Sequence, residues 1–293
     1  MVFSLHRGKM LYEPLFLEVR QSLKLILLSV SGYQQNKSNI KAKMLLKLKQ
    51  IVMLSLFISS SVIAQDVEKS WDEAIVYVPG KFFSTSVQKI QVDKPMPVII
   101  YLHGCVGINR NHDANWASLL IDQGFIVVMP DSMARPGRLP NCDPRLKKRT
   151  NTFPAVYEYR QQEITYALEQ TTASSWADKR NIFLMGHSEG GIAVAQSSHS
   201  EFAGKIISAW TCTDKSDPAF DGIFSPKNLP VLAMASLEDE WRKGTPHEGR
   251  CANKAEGRLN FKQVDRQGSI HTTYDNVEAR NAVKEFLEKN ITK

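Results

Sequence analysis

The chain has 293 residues, with 37 lysines and arginines against 30 aspartates and glutamates, and a formal net charge of +7 at pH 7. The charge is uneven, because residues 1–64 carry nine basic and two acidic side chains and the rest carries 28 of each. A nucleic-acid partner is therefore not supported, since no basic excess remains in the part that is long enough to fold.

The first 64 residues are predicted to lie outside the folded domain. Residues 1–43 lack the pattern of a folded unit, and we interpret them as an upstream extension without structure. Residues 44–64 have the order of a secretory signal peptide: lysines first, then an apolar run, then small residues ending at Ala64. Serines interrupt the apolar run, which disfavours a membrane anchor. We expect residues 65–293 to form one exported domain, periplasmic or secreted, without a membrane span.

Apolar strands alternate with helices along this domain. The predicted strands are residues 74–79, 97–102, 125–129, 182–185, 205–211, 229–235 and 259–264. The predicted helices are a segment around Trp116 that ends at Gly124, residues 154–169, a helix directly after Ser188, and residues 275–290. Such alternation predicts an α/β fold: a single domain with a mostly parallel central sheet and helices on both faces.

A long polar connection interrupts this pattern at residues 131–153. Connections of this length often shape binding sites in compact domains. Arg135 and Arg138 in it could meet an acidic substrate, although a solvated surface is the default interpretation. Aromatic residues near the predicted site, among them Trp210, Trp241 and Phe153, could line an apolar cleft or belong to the core.

The sequence Gly186-His187-Ser188-Glu189-Gly190 joins a predicted strand to a predicted helix. A serine on so tight a strand-to-helix turn has strained backbone angles, and its neighbours must be glycine to avoid clashes. The turn presents the hydroxyl beside the positive end of the helix. Ser188 is therefore predicted to be a catalytic nucleophile.

A serine hydroxyl needs a histidine to accept its proton, and in this arrangement the acid and then the histidine follow the serine along the chain. His271 lies between the last strand and the last helix, where a loop can bring it over the serine, and it is the predicted base. His199 is expected on the helix after the turn, and His247 precedes the last strand, so both are weaker candidates.

The acid is expected just beyond a strand that ends at the same edge of the sheet. Three consecutive carboxylates, residues 238–240, follow the strand at 229–235. Asp239 is the first choice and Glu238 the alternative, while Asp214 and Asp217 are weaker alternatives after the preceding strand. A run of exposed acids in a loop is the non-catalytic interpretation.

The oxyanion of an acyl-transfer intermediate requires preorganised N–H donors. The backbone N–H of Glu189 is one predicted donor, and the other is predicted from the turn after Leu102, at Cys105. All four cysteines lie in the exported part, and an even count in an oxidising compartment indicates two disulfides with three possible pairings. No cysteine or histidine spacing is typical of a metal site, and no cofactor is implied.

Five stretches of the chain together resemble the α/β-hydrolase superfamily, and within it the dienelactone-hydrolase-like group. They are PVIIYLHGCVG, GFIVVMPDS, NIFLMGHSEGG, LPVLAMASLEDEW and SIHTTY, which frame nearly all of residues 74–290. The resemblance implies Ser188 as nucleophile, Asp239 as acid and His271 as base, with Cys105 and Glu189 as oxyanion donors. Dienelactone hydrolases themselves have a cysteine nucleophile, so the serine favours a general ester hydrolase.

The resemblance also implies how the cysteines pair. In the superfamily's strand order, the loops that carry Cys105 and Cys142 lie at one edge of the sheet, as do those that carry Cys212 and Cys251. The implied disulfides are 105 with 142 and 212 with 251.

The functional prediction is an exported serine hydrolase that cleaves a small or medium ester through an acyl-enzyme on Ser188. The alternatives are a peptidase or polyester hydrolase on the same fold, and a catalytically silent binding protein, because fold does not fix function.

Overall fold

A seven-stranded sheet forms the centre of the protein in the computed structural model, which describes residues 66–293. The predicted upstream extension (1–43) and signal peptide (44–64) lie outside the described residues. Within residues 66–293, no helix is both long and apolar enough to cross a membrane.

The elements follow the predicted alternation. The strands of the sheet are β1 (Ile75–Tyr77), β2 (Met96–Leu102), β3 (Ile126–Met129), β6 (Ala177–His187), β7 (Gly204–Ser208), β8 (Val231–Ser236) and β9 (Phe261–Arg266). A separate hairpin consists of β4 (Cys142–Asp143) and β5 (Lys148–Arg149). The helices are α1 (His112–Asp122), α2 (Val156–Ala173), α3 (Glu189–Gln196) and α4 (Val277–Asn290), and residues 66–72 are also helical.

The strand order is β1-β3-β2-β6-β7-β8-β9, and β1 pairs with β3 in the antiparallel direction while the other pairs are parallel. The prediction of a mostly parallel α/β sheet is confirmed. Because parallel strands end at the same edge, the loops after β2, β6, β8 and β9 meet there.

Alternation along β2 explains the layers around the sheet. Val98, Ile100 and Leu102 pack with the apolar sides of α2 and α3, whereas Ile99 and Tyr101 pack with α1 and α4. Successive side chains of a strand point to opposite faces, so a continuously apolar strand is covered by helices on both sides. Because helices cover both faces of the sheet, the candidate site lies at the edge where the parallel strands end.

Candidate active site

Ser188 lies at the junction of β6 and α3, with φ 57° and ψ −112°. This left-handed φ is strained for a residue with a side chain. A Cβ atom at Gly186 would collide with the carbonyl of Gly190, and a Cβ at Gly190 would collide with the carbonyl of Leu102. Both glycines are therefore required for the close packing of the turn, which holds the serine at the carboxyl end of the sheet.

His271 connects this serine to Asp239. Its Nε2 lies 2.8 Å from Oγ of Ser188, and its Nδ1 lies 2.7 Å from Oδ2 of Asp239. Asp239 belongs to the turn after β8, and its other oxygen accepts the N–H of Trp241 at 2.9 Å. His271 lies in the loop between β9 and α4. The structure thus brings the first-choice serine, histidine and aspartate into one hydrogen-bonded relay.

Burial and charge set the protonation of the relay. Burial raises the pKa of Asp239, but the hydrogen bonds from His271 and the Trp241 N–H, together with nearby positive charge such as that of Arg242, bring the net pKa of this carboxyl below its ordinary value. The pKa of His271 lies below its ordinary value, mainly because the ring is buried and also because of the charge of Arg242, although the Asp239 carboxylate acts in the opposite direction. At neutral pH the aspartate is therefore ionised and the histidine is neutral, which is the state in which an imidazole can accept a proton.

The alternative acids and bases lie outside the relay. The carboxylate of Glu238 is exposed and binds a neighbouring lysine at 2.8 Å. Asp214 lies 3.3 Å from His247, and Asp217 accepts a backbone N–H at the start of a 3-10 turn. His199 lies beyond the end of α3, not on it as expected. In the described chain, none of these side chains is hydrogen-bonded to the serine.

The two predicted oxyanion donors flank the serine. Glu189 directly follows it, and Cys105 belongs to the turn after β2, where a Cβ atom on the adjacent Gly104 would lie 3.6 Å from Cβ of Ser188. Cys105 is also bonded to Cys142 of the β4–β5 hairpin. The turn that carries this predicted donor is thus covalently tied to the hairpin.

The second disulfide joins Cys212, just beyond β7, to Cys251 in a 3-10 turn. The structure contains the two disulfides that the resemblance implies, and the described residues include no free cysteine.

A pocket opens beside the serine. Its lining is Cys105, Asn141, Cys142, Arg149, Tyr157, Ser188, Glu189, Ile192, Trp241 and Arg242. The ring of Trp241 also lies against His271, with 5.2 Å between ring centroids. Of the other aromatic candidates, Trp210 is fully buried beneath Arg242, and Phe153 packs on Tyr159.

A buried network of arginines and glutamates lies behind the pocket and was not predicted. Glu189 Oε1 accepts from Arg138 at 2.7 Å and from Arg160 at 3.1 Å. Arg160 also donates to Glu163 at 3.1 Å, and Arg135 lies 3.4 Å from the same glutamate. The default expectation of a solvated surface is wrong for Arg135 and Arg138, which are 2% and 6% exposed. Each arginine can be buried in this network because a carboxylate from another element offsets the cost of burying its charge.

One further histidine, His187, lies against the relay and packs on another histidine behind it. His187 is packed between His112 and His271, with centroid distances of 4.0 and 5.1 Å. Nδ1 of His187 lies 3.1 Å from Oγ of Ser208, which in turn bonds Thr273 two residues after His271. Burial lowers the pKa of His187 well below the ordinary value, so it is neutral. The only sequence signal for the contact of His187 with the relay is its position directly before Ser188.

Many solved structures match this fold, and the two described here are distant in sequence. Est1E from Butyrivibrio proteoclasticus is 17% identical, with 75% of this chain and 94% of that chain covered and a TM-score of 0.50. A dienelactone hydrolase-like promiscuous phosphotriesterase, P91, from metagenomic libraries is 14% identical, with 75% and 98% covered and a TM-score of 0.53. At such identity the likeness shows the fold alone.

The sequence itself gives the family. No curated protein matches the chain. The family model for the dienelactone hydrolase family matches residues 85–245, which is more than half of the chain and includes both the strand-to-helix turn and Asp239. The chain belongs to the dienelactone hydrolase family.

Proposed function

We propose that this hydrolase is a serine esterase that works through an acyl-enzyme on Ser188. His271 accepts the hydroxyl proton as Oγ attacks the ester carbonyl, and it returns that proton to the departing alcohol. Water, deprotonated by the same imidazole, then attacks the acyl-enzyme, so that the acid leaves and the hydroxyl is restored. Asp239 holds the histidine with its proton on Nδ1. The observation that carries the proposal is the pair of contacts at 2.8 and 2.7 Å that link the three side chains.

The proposed oxyanion donors are the backbone N–H groups of Cys105 and Glu189. Neither N–H donates to another group within residues 66–293. Glu189 is the first residue of α3, where backbone N–H groups have no partner inside the helix and the helix dipole favours negative charge. Two such donors, held from different elements, suit an oxygen that becomes negative during the reaction.

The proposed substrate carries an anionic group near the ester. Arg149 and Arg242 both line the pocket, and Nε of each is buried without a hydrogen-bond partner among the described residues. Arg242 is only 4% exposed and stacks on Trp210. A buried cation without an anionic partner is costly, and a carboxylate on the substrate would offset this cost.

We also propose that the protein acts outside the cytoplasm, after removal of the signal peptide at 44–64. Two disulfides in one domain are typical of an oxidising compartment and support this proposal.

One experiment tests the activity and the substrate class together. Wild-type protein and Ser188→Ala would be given a pair of p-nitrophenyl esters of one dicarboxylic acid, with the far carboxylate either free or methylated. We expect Ser188→Ala to lose activity by about 10⁴-fold or more. We expect the wild type to prefer the free carboxylate by about tenfold in kcat/KM, the value of one charge-assisted hydrogen bond of about 1.5 kcal/mol.

The controls separate the alternatives. Full activity of Ser188→Ala would disprove the nucleophile. A wild type that fails to react with a fluorophosphonate probe would favour a silent binding protein. Cleavage of peptide or polymer substrates in preference to both esters would favour the peptidase or polyester hydrolase. Equal turnover of the two esters would disprove only the anionic substrate.

A further inference from the structure

One buried side chain contacts both segments that carry the proposed oxyanion donors. Arg160, in α2, is fully buried. Its Nη2 donates to the carbonyl of His103 at 2.8 Å and lies 3.5 Å from the carbonyl of Gly104. Its Nε donates to Oε1 of Glu189 at 3.1 Å. The turn after β2 and the start of α3 are therefore joined through a single planar guanidinium.

The turn after β2 is further fixed by the His103 ring. Nε2 of His103 accepts the N–H of Ser132 at 3.0 Å, so the ring proton is on Nδ1, which donates to the carbonyl of Gly104 at 2.7 Å. Burial, together with the charge of Arg160, lowers the pKa of His103 well below its ordinary value, which keeps this tautomer neutral. The carbonyls of His103 and Gly104 are thus both held by hydrogen bonds. The Gly104 carbonyl belongs to the same peptide group as the N–H of Cys105, so this N–H is held as well.

The Glu189 side chain is held on the other side. Its Oε1 accepts from both Arg160 and Arg138, and its Oε2 has no partner among the described residues. The carboxylate is 3% exposed and does not contact the relay histidine in the described chain. Its contacts suit a side chain that anchors the first turn of α3, where the Glu189 backbone N–H is a proposed oxyanion donor.

We propose that Arg160 is a positioning residue that sets the spacing of the two oxyanion donors. The inference rests on the proposed function, since it concerns donors for an acyl-transfer reaction. A guanidinium is planar and has its donors in a rigid fork, so it can hold two segments at one separation, whereas a lysine ammonium is a flexible point charge. Donors that are fixed before the reaction stabilise the developing charge without reorganisation.

The test compares Arg160→Lys with Arg135→Lys in the full-length protein. Arg135 is a matched control because it is also buried, binds the same Glu163 and contacts neither donor segment in the described chain. With the uncharged p-nitrophenyl ester, we expect Arg160→Lys to lower kcat about 100-fold, as expected for a misplaced oxyanion donor, with KM changed less than about threefold. We expect Arg135→Lys to lower the unfolding temperature but to keep kcat within about threefold.

A second variant covers the case in which Arg160→Lys does not fold. Glu189→Gln keeps the shape of the anchor but removes its charge, and we expect kcat to fall about tenfold at unchanged KM, since charge-assisted hydrogen bonds are about twice as strong as neutral ones. Unchanged kcat in either folded variant, or an equal loss of kcat in Arg135→Lys, would overturn the inference. Activity that survives Ser188→Ala would instead overturn the proposed function, so the two failures are distinguishable.

Discussion

At the scale of single residues, two adjacent carboxylates have opposite surroundings. Asp239 is 1% exposed and bonded to His271, while Glu238 is exposed and bonded to a lysine. We expect Asp239→Asn to lower kcat by about 10³- to 10⁴-fold, because an amide can present its N–H to Nδ1 and favour the wrong imidazole tautomer. We expect Glu238→Gln to keep kcat within about twofold, as a substitution at an exposed surface position.

The measurement is kcat on one p-nitrophenyl ester for the two single variants, with circular dichroism as the check of folding. If Glu238→Gln lost activity and Asp239→Asn did not, the catalytic acid would be Glu238. Both substitutions remove one negative charge from neighbouring positions, so a general electrostatic effect would lower both alike.

The three residues of the relay can be predicted from the sequence, whereas the buried ion pairs that hold the surrounding segments cannot. The glycines and serine of the turn lie within five consecutive positions, and the order of acid and histidine follows from the strand order. Arg160 and Glu189 are 29 residues apart, and Arg138 and Glu189 are 51 apart. These pairings depend on how α2 and the connection at residues 131–153 pack against α3. Hydrophobic periodicity carries no information on which charged side chains meet in the interior.

At the scale of elements, most strands and the long helices agree with the prediction to within about four residues, because their apolar runs are continuous. The exception is β6, which begins at Ala177 and not at residue 182, because its first residues are polar. Residues 131–153 were predicted as a connection only, but they contain the β4–β5 hairpin and a 3-10 turn at Ser132–Ala134. Strands of two residues have no recognisable alternation. The hairpin is held by Cys105–Cys142, which is a long-range contact that composition cannot locate.

The two disulfides offer a matched comparison between elements. They close loops of nearly equal length, with sequence separations of 37 and 39, so the chain-entropy model gives each about 4 kcal/mol of stability. We expect Cys105→Ala/Cys142→Ala and Cys212→Ala/Cys251→Ala to lower the free energy of unfolding by similar amounts. Only the loss of the first disulfide should also lower kcat, by about tenfold or more, because it frees the turn that carries the proposed oxyanion donor Cys105.

Urea unfolding and steady-state kinetics at 25 °C would measure both effects for each double variant. A loss of kcat that is equal in the two would mean that the first disulfide acts through stability alone. Unchanged kcat without the bond between the turn and the hairpin would show that hydrogen bonds suffice to hold the donor.

At the scale of the whole molecule, burial lowers the pKa of several histidines. Burial is the main cause that lowers the pKa of five of them: His103, His187, His199, His247 and His271. The pKa is lowered most for His103 and His187, which are both buried beside the candidate site. In the unfolded chain all five return to an ordinary pKa of about 6.5.

This shift predicts a loss of stability on mild acidification. Below about pH 6.5 the unfolded chain binds protons that the native protein does not, so the free energy of unfolding falls as the pH falls and is flat above about pH 7 as far as these groups are concerned. For His103 and His187 together we expect a loss of about 2 to 3 kcal/mol between pH 7.0 and 5.5, measured by urea unfolding followed by tryptophan fluorescence. His187→Asn, which keeps a donor near Ser208 but cannot take up the proton, should reduce that loss by about 1 kcal/mol. Equal stability at the two pH values would mean that these rings are protonated in the native protein, and the neutral tautomer of His103 that holds the Gly104 carbonyl would then be wrong.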